Sequence, residues 1–212
     1  NASTTGYRQE GMIFSEFVVS TEDGPSLSMA RGQVRNTSHL QGNLTQTGGQ
    51  LDFAIEGDGF FLVDTPDGQR ITRAGSFSTS AEGDLVTLDG YNVLDAGGAP
   101  LFIPPDAATI DVSSDGAISS NGQLLGQIGV VQPVNLRDLI REGGVLFRAD
   151  TALEPVENPR VKQGHIESSN VNTMLQVSRM IEVQRAYEMG QSFLDTENER
   201  MRDAIRAFSQ QQ

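Results

Sequence analysis

From Ser168 to about Phe208 the chain contains no proline and only Gly190 as a strong breaker, behind Ser168, Ser169 and Asn170, three residues suited to a helix N-cap. The run predicts one helix of roughly 37 residues, about 55 Å long at 1.5 Å per residue and far above the usual globular length. Helices draw most of their stability from packing an apolar face, so one this long must lie along something.

Its apolar pattern says how. Met180, Tyr187, Leu194, Met201 and Phe208 recur every seventh residue, with Val183, Gly190 and Ala204 between them. A seven-residue repeat drifts against 3.6 residues per turn, so a left-handed, coiled-coil-like seam is expected. Glu197 interrupts the seam, while Ala186, Met189, Phe193 and Ile205 widen it beyond what a two-stranded zipper needs. More than one partner helix is therefore expected, at an interface built from Met180, Val183, Tyr187, Gly190, Leu194, Met201, Ile205 and Phe208. Nothing before residue 170 reads as a comparable helix, and the segment Tyr7–Val19 is too short. The covering helices are expected ahead of Asn1 or on other chains.

The middle of the chain has a different texture. Between Leu51 and about Gly164 lie strand-sized apolar or alternating runs: Leu51–Ile55, Phe60–Val63, Leu85–Leu88, Tyr91–Leu94, Leu101–Ile103, Ile110–Val112 and Leu124–Val131. Asp58-Gly59, Asp67-Gly68, Asp89-Gly90, Asp115-Gly116 and Asn121-Gly122 separate them, each offering the positive φ that tight hairpins require. An antiparallel β domain is the consequence. Pro104-Pro105 interrupts it, and Asn135–Arg141 is expected as a short helix stopped by Gly143-Gly144. Residues 1–50 are polar, with apolar side chains clustered only at Met12, Ile13, Phe14, Phe17, Val18 and Val19, and read as an extended linker with one short packed segment. The chain thus divides into residues 1–50, a β domain over 51–164 and an axial helix over 165–212.

Charge and composition narrow the functions. The 212 residues carry Lys+Arg 15 against Asp+Glu 28, a net charge of -13 that repels nucleic-acid phosphates and anionic lipid headgroups. No nucleic-acid partner and no membrane insertion is expected, since no apolar run reaches the length of a membrane span. No signal-peptide pattern is recognisable at the start. Lys162 is the only lysine; every other basic residue is arginine, suited to bidentate pairing. With no cysteine the chain has no disulfide or thiolate metal site and can cross redox compartments unchanged.

Candidate chemistry fails on spacing. The aspartates Asp64, Asp67, Asp84 and Asp89 lack the calcium-loop pattern. Glu56 and Asp58 sit two residues apart in a turn, a poor acid and base pair for glycoside hydrolysis. The two histidines, His39 and His165, belong to no zinc or nucleophile motif. No catalytic residue, metal ligand or cofactor is expected. A secreted β-rich carbohydrate-binding or hydrolytic domain with a coiled-coil tail is the alternative from another class, but aromatics are 6% with no tryptophan.

Three stretches carry a resemblance. NASTTGYR at 1–8 is similar to the end of the N-terminal segment shared by flagellar rod and hook proteins. LQGNLTQTGGQLDFAIEGDGFFLVDTPDG at 40–68 and ITRAGSFSTSAEGDLVTLDGYNVL at 71–94 resemble that family's central motif. GHIESSNVN at 164–172, followed by MIEVQRAYEMGQSF at 180–193, resembles its C-terminal signature. The resemblance implies a non-enzymatic axial protein, exported unfolded through the flagellar export apparatus and stacked helically with copies of itself and other rod proteins in the periplasmic rod of the basal body. It implies a mainly β fold: a central antiparallel β domain whose long C-terminal α-helix packs with an N-terminal helix largely absent from this sequence. Size, and the short polar stretch Gly24–Thr37 where distal-rod members have a longer insert, favour the proximal-rod type, with the distal-rod type or another axial member as the alternative.

Overall fold

The computed structural model describes residues 1–19, 27–107 and 109–209. The mainly β fold with one long C-terminal helix is what it shows. The chain divides into two compact units, Asn1–Val171 and Asn172–Gln212.

The first unit is organised by Phe60–Thr65, whose opening residues Phe60, Phe61, Leu62 and Val63 are all buried. Successive side chains on a strand point to opposite faces, so an unbroken apolar run means burial on both. Phe61 and Val63 join a core with Phe53, Phe77, Leu85, Ile118 and Val130. Phe60 and Leu62 join a second with Ile71, Leu94, Leu139 and Phe147. The Phe61 ring meets Phe77 edge-on at 5.3 Å. The strand pairs antiparallel with Gly68–Thr72, Asn92–Val93 and Val130–Pro133 in one nine-stranded sheet.

Asp67-Gly68, Asp89-Gly90, Asp115-Gly116 and Asn121-Gly122 close hairpins between paired strands; Asp58-Gly59 does not, because Phe53–Ile55 and Phe60–Thr65 belong to different sheets, though its glycine too has positive φ. Asn121 itself has φ 50, and with Gly122 it closes the hairpin between Ala117–Ser120 and Gln123–Gln127. These strands and Asp111–Val112 form a separate three-stranded sheet.

Two local expectations need correction. Asn135–Arg141 is not a short α-helix: only Leu136–Asp138 forms a 3-10 turn, capped by the Asn135 side chain, and Leu139–Arg141 is a strand. Gly143 and Gly144, both at positive φ, turn the chain back so that Leu139–Arg141 pairs with Leu146–Ala149; they close a hairpin instead of stopping a helix. Likewise the polar stretch before residue 50 holds two long antiparallel strands, Glu10–Val19 and Leu27–Thr37. The side chains of Ile13, Phe14, Phe17 and Val19 lie outside the described residues.

Two short ribbons tie the late chain to the early chain. Phe53–Ile55 pairs with Val161–Gln163, and Leu44–Gln46 with His165–Glu167. The second unit is the helix Thr173–Ser209, of 37 residues, the length its pattern demanded.

Candidate assembly site

The helix begins later than its sequence suggests because the side chains of its three candidate caps make other bonds. The Ser168 hydroxyl lies 2.9 Å from the Thr45 hydroxyl, and the Ser169 hydroxyl accepts from Val171 N at 3.2 Å within its own turn. Asn170 Oδ1 accepts from Gln9 N at 2.6 Å. Asn172 does the capping, its Oδ1 accepting from Leu175 N at 3.0 Å.

All eight residues of the sequence-derived interface lie on this one helix. Among them the described apolar side chains run from 57% exposed at Met201 to 69% at Val183, with Met180, Tyr187, Leu194 and Ile205 in between. Gly190 is exposed too, and the side chain of Phe208 lies outside the described residues. Polar pairs along the same helix are internal to it: Gln191 donates to the Tyr187 hydroxyl at 2.8 Å, and Arg200 pairs with Glu197 at 2.6 Å. Such exposed i,i+3 and i,i+4 contacts stabilise a helix by a few tenths of a kcal/mol each, leaving the apolar stripe as its main unused resource.

The first unit holds a cluster that the sequence reading did not single out. Glu167, 1% exposed, lies between Arg8 Nη2 at 2.9 Å and Arg73 Nη1 at 3.4 Å, both arginines being buried as well. Further hydrogen bonds of the three groups go to main chain, while Arg8 Nε, Arg73 Nε and Glu167 Oε2 have no hydrogen-bond partner. Arg8 Nη1 donates to the carbonyls of His39, at 2.8 Å, and Leu40; Arg73 donates to Ile55 O at 3.3 Å and to Gly57 O. Glu167 Oε1 accepts from Gly42 N at 3.0 Å. The Arg73 guanidinium also stands 5.3 Å over the Phe60 ring. A Cβ on Gly42 would overlap the Ser168 carbonyl oxygen, so this close approach of chains needs glycine.

Burial pushes the Arg73 guanidinium down to about 10, opposed by Glu167, and lowers Arg8 for the same reasons; both stay charged at neutral pH. His39 is lowered by burial and then by Arg8, which favours its neutral form. The cluster gathers the stretches GYR at 6–8, LQGN at 40–43, TRAG at 72–75 and IESSN at 166–170. Glycines beside lone charged residues were the signal within those motifs. Nothing local indicated that the charges meet.

A second anchor fixes the base of the long strand pair. Arg141 pairs with Glu10 at 3.0 Å and donates to the Arg8 carbonyl at 2.6 Å. Its guanidinium lies 4.4 Å from the Tyr7 ring centroid and 4.5 Å from that of Phe147. Ser38 N donates to Gln9 O at 2.7 Å, and Asn170 Nδ2 to Leu40 O at 2.7 Å.

The residues weighed for chemistry occupy ordinary surroundings. Glu56 pairs with Lys162 at 2.6 Å and Arg160 at 3.7 Å, and Asp58 is exposed. The His165 ring lies 2.9 Å from the Gln163 carbonyl. Among the described residues no group of three or more His, Cys, Asp or Glu side chains could hold a metal ion, and no helix is long and apolar enough to cross a membrane.

The first unit is a β unit, and the long helix that follows carries an exposed apolar stripe with a seven-residue repeat. Comparison with known proteins gives the family. Residues 54–120 match the flagellar hook protein FlgE/F/G D1 domain, and residues 162–207 the flagellar basal body rod FlgEFG protein C-terminal domain. The chain is 39% identical to the flagellar basal-body rod protein FlgF of Caulobacter vibrioides, across 97% of this chain and 86% of the relative. It is 38% identical to FlgF of Mesorhizobium japonicum, across 89% of this chain and 79% of the relative. Against the rod protein FlgG of Bacillus subtilis it is 32% identical, across 97% and 88%. The chain belongs to the flagellar basal-body rod protein family and is more similar to these FlgF proteins than to that FlgG. It is a structural subunit of the basal-body rod, where it assembles with other rod proteins.

Proposed function

We propose that the helix Thr173–Ser209 is the axial element of a proximal-rod subunit, and that Met180, Val183, Tyr187, Gly190, Leu194, Met201, Ile205 and Phe208 are covered by helices of neighbouring subunits or by an N-terminal helix ahead of Asn1. The observation that carries this reading is the exposure of the apolar stripe along one 37-residue helix, a surface far longer than soluble monomers leave open. Residues 1–50 lead into the subunit, 51–164 form its β domain, and 165–212 stack it along the axis. Repeated contacts that do not close on themselves give a helical filament, which transmits torque from motor to hook. The chain performs no catalysis; its work is mechanical. It reaches the rod unfolded through the export apparatus, a route consistent with the absence of cysteine.

Replacing Leu194 with Asp in the only copy of the gene tests the reading. A buried unpaired carboxylate costs several kcal/mol in each subunit, so the expected outcome is no rod and no swimming, with the β unit still folded. Swimming cells with intact basal bodies would overturn it.

A further inference from the structure

The ribbon formed by Leu44–Gln46 and His165–Glu167 is short, and its outward side chains say little about register. Thr45 and Gln46 are exposed, Leu44, His165 and Ile166 are half-buried, and only Glu167 is buried. Register is strongly specified only where one face of a strand is buried and apolar. The neighbouring ribbon has that property: Val161 is buried opposite buried Ile55, and Gln163 pairs with buried Phe53. Between the two ribbons stand Gly48, with φ +74, and Gly164, with φ +69, where Thr47 N and Gly48 N both donate to the Gly164 carbonyl, at 2.8 and 3.1 Å. Those are main-chain bonds, which any residue can make, so they do not choose between registers.

We propose that Glu167 is a register lock: its insertion between Arg8 and Arg73 is what pairs Glu167 with Leu44, Ile166 with Thr45 and His165 with Gln46. A slip of one residue would swing Glu167 to the opposite face and put Ile166 or Ser168 before two buried guanidiniums, leaving both without a counterion. The penalty for an unpaired buried charge is large, whereas a buried ion pair adds little stability over an apolar replacement; fixing register is among its best-attested uses. Glu167 is in this sense a positioning residue. The inference concerns the β unit alone and does not depend on the proposed function; the experiment reads the register directly.

Because the chain has no cysteine, introduced pairs report register cleanly. In the parent, Gln46→Cys with His165→Cys places two thiols directly opposite, and Gln46→Cys with Ile166→Cys places them on opposite faces. The first pair should oxidise to a disulfide and the second should not. Adding Glu167→Gln keeps the shape and removes the charge; the 46–166 disulfide is then expected to rise at least ten-fold against the 46–165 one. Adding Arg8→Met, Arg73→Met and Glu167→Leu together, which removes every buried charge of the cluster, should do the same; its Tm falls because main-chain groups at Ile55, Gly57 and Gly42 lose their partners, but no charge is left unpaired, which keeps the test open if Glu167→Gln unfolds. Amide-exchange protection at Phe61 and Val63 confirms that the β unit is folded in each case. An unchanged disulfide ratio in a folded, charge-free variant would overturn the lock.

Discussion

The strand Phe60–Thr65 and the helix Thr173–Ser209 are both rich in large apolar side chains and dispose of them in opposite ways. The strand buries Phe60, Phe61, Leu62 and Val63 between two cores made by its own chain. The helix leaves Met180, Tyr187, Leu194 and Met201 more than half exposed. Burial of a large apolar side chain is worth about 1.5–3 kcal/mol. The β unit has collected that free energy before any partner arrives, while the helix holds it in reserve. On the proposed function a rod subunit gains from this division: one part keeps its fold as an individual, and the other would gain stability on joining its neighbours.

The sharpest way to separate the two regions is to truncate one apolar residue in each. Phe61→Ala empties a site shared with Phe77 and should cost about 3–5 kcal/mol in denaturant unfolding of the isolated chain. Leu194→Ala in the same assay should change unfolding by under about 0.5 kcal/mol, since its side chain is already in water. Equal losses at both positions would erase the distinction. Glu167→Ala should approach the Phe61 value, about 3–5 kcal/mol, because two buried guanidiniums lose their counterion.

Smaller effects probe how the β unit is built. Gly122→Ala adds a side chain into open space at φ +80, so its cost of about 1 kcal/mol should be purely conformational and measurable as a lower Tm with the fold unchanged. Least of all is the surface pair Glu56–Lys162. The Lys162 side chain, by hydrogen bond and charge, holds the Glu56 carboxyl below its ordinary value. A depressed carboxylate contributes stability above its unfolded pKa and loses it as pH falls through the folded one. Lys162→Met should therefore flatten the acid limb of the stability profile slightly, leaving neutral pH almost unchanged.

How much of this was readable in the sequence depended on whether the cause was local. The long helix was readable because seven-residue spacing and freedom from proline are properties of one segment, and the Asp-Gly hairpins because a positive φ is a property of one residue. The N-terminal strand pair was not, since Glu10–Val19 and Leu27–Thr37 meet only in the fold, their register shifts between Ile13 and Phe14, and the block Met12–Phe14 breaks strict alternation. Gly143-Gly144 showed a break without showing whether it ended a helix or closed a hairpin; the pairing of Leu139 with Ala149 decided it. The Arg8–Glu167–Arg73 cluster was the least legible. Its members come from three distant motifs, and only the folded chain brings the charges within bonding distance.

The central claim, that the helix stripe is open in the single chain and covered in the rod, can be measured directly at Tyr187. With no native cysteine, Tyr187→Cys gives one thiol in the chain, to be labelled with a maleimide in the isolated protein and in purified basal bodies. The account predicts rapid labelling of the isolated chain, where the position is 66% exposed, and protection of at least ten-fold in the basal body. Equal labelling rates in the two states would contradict it.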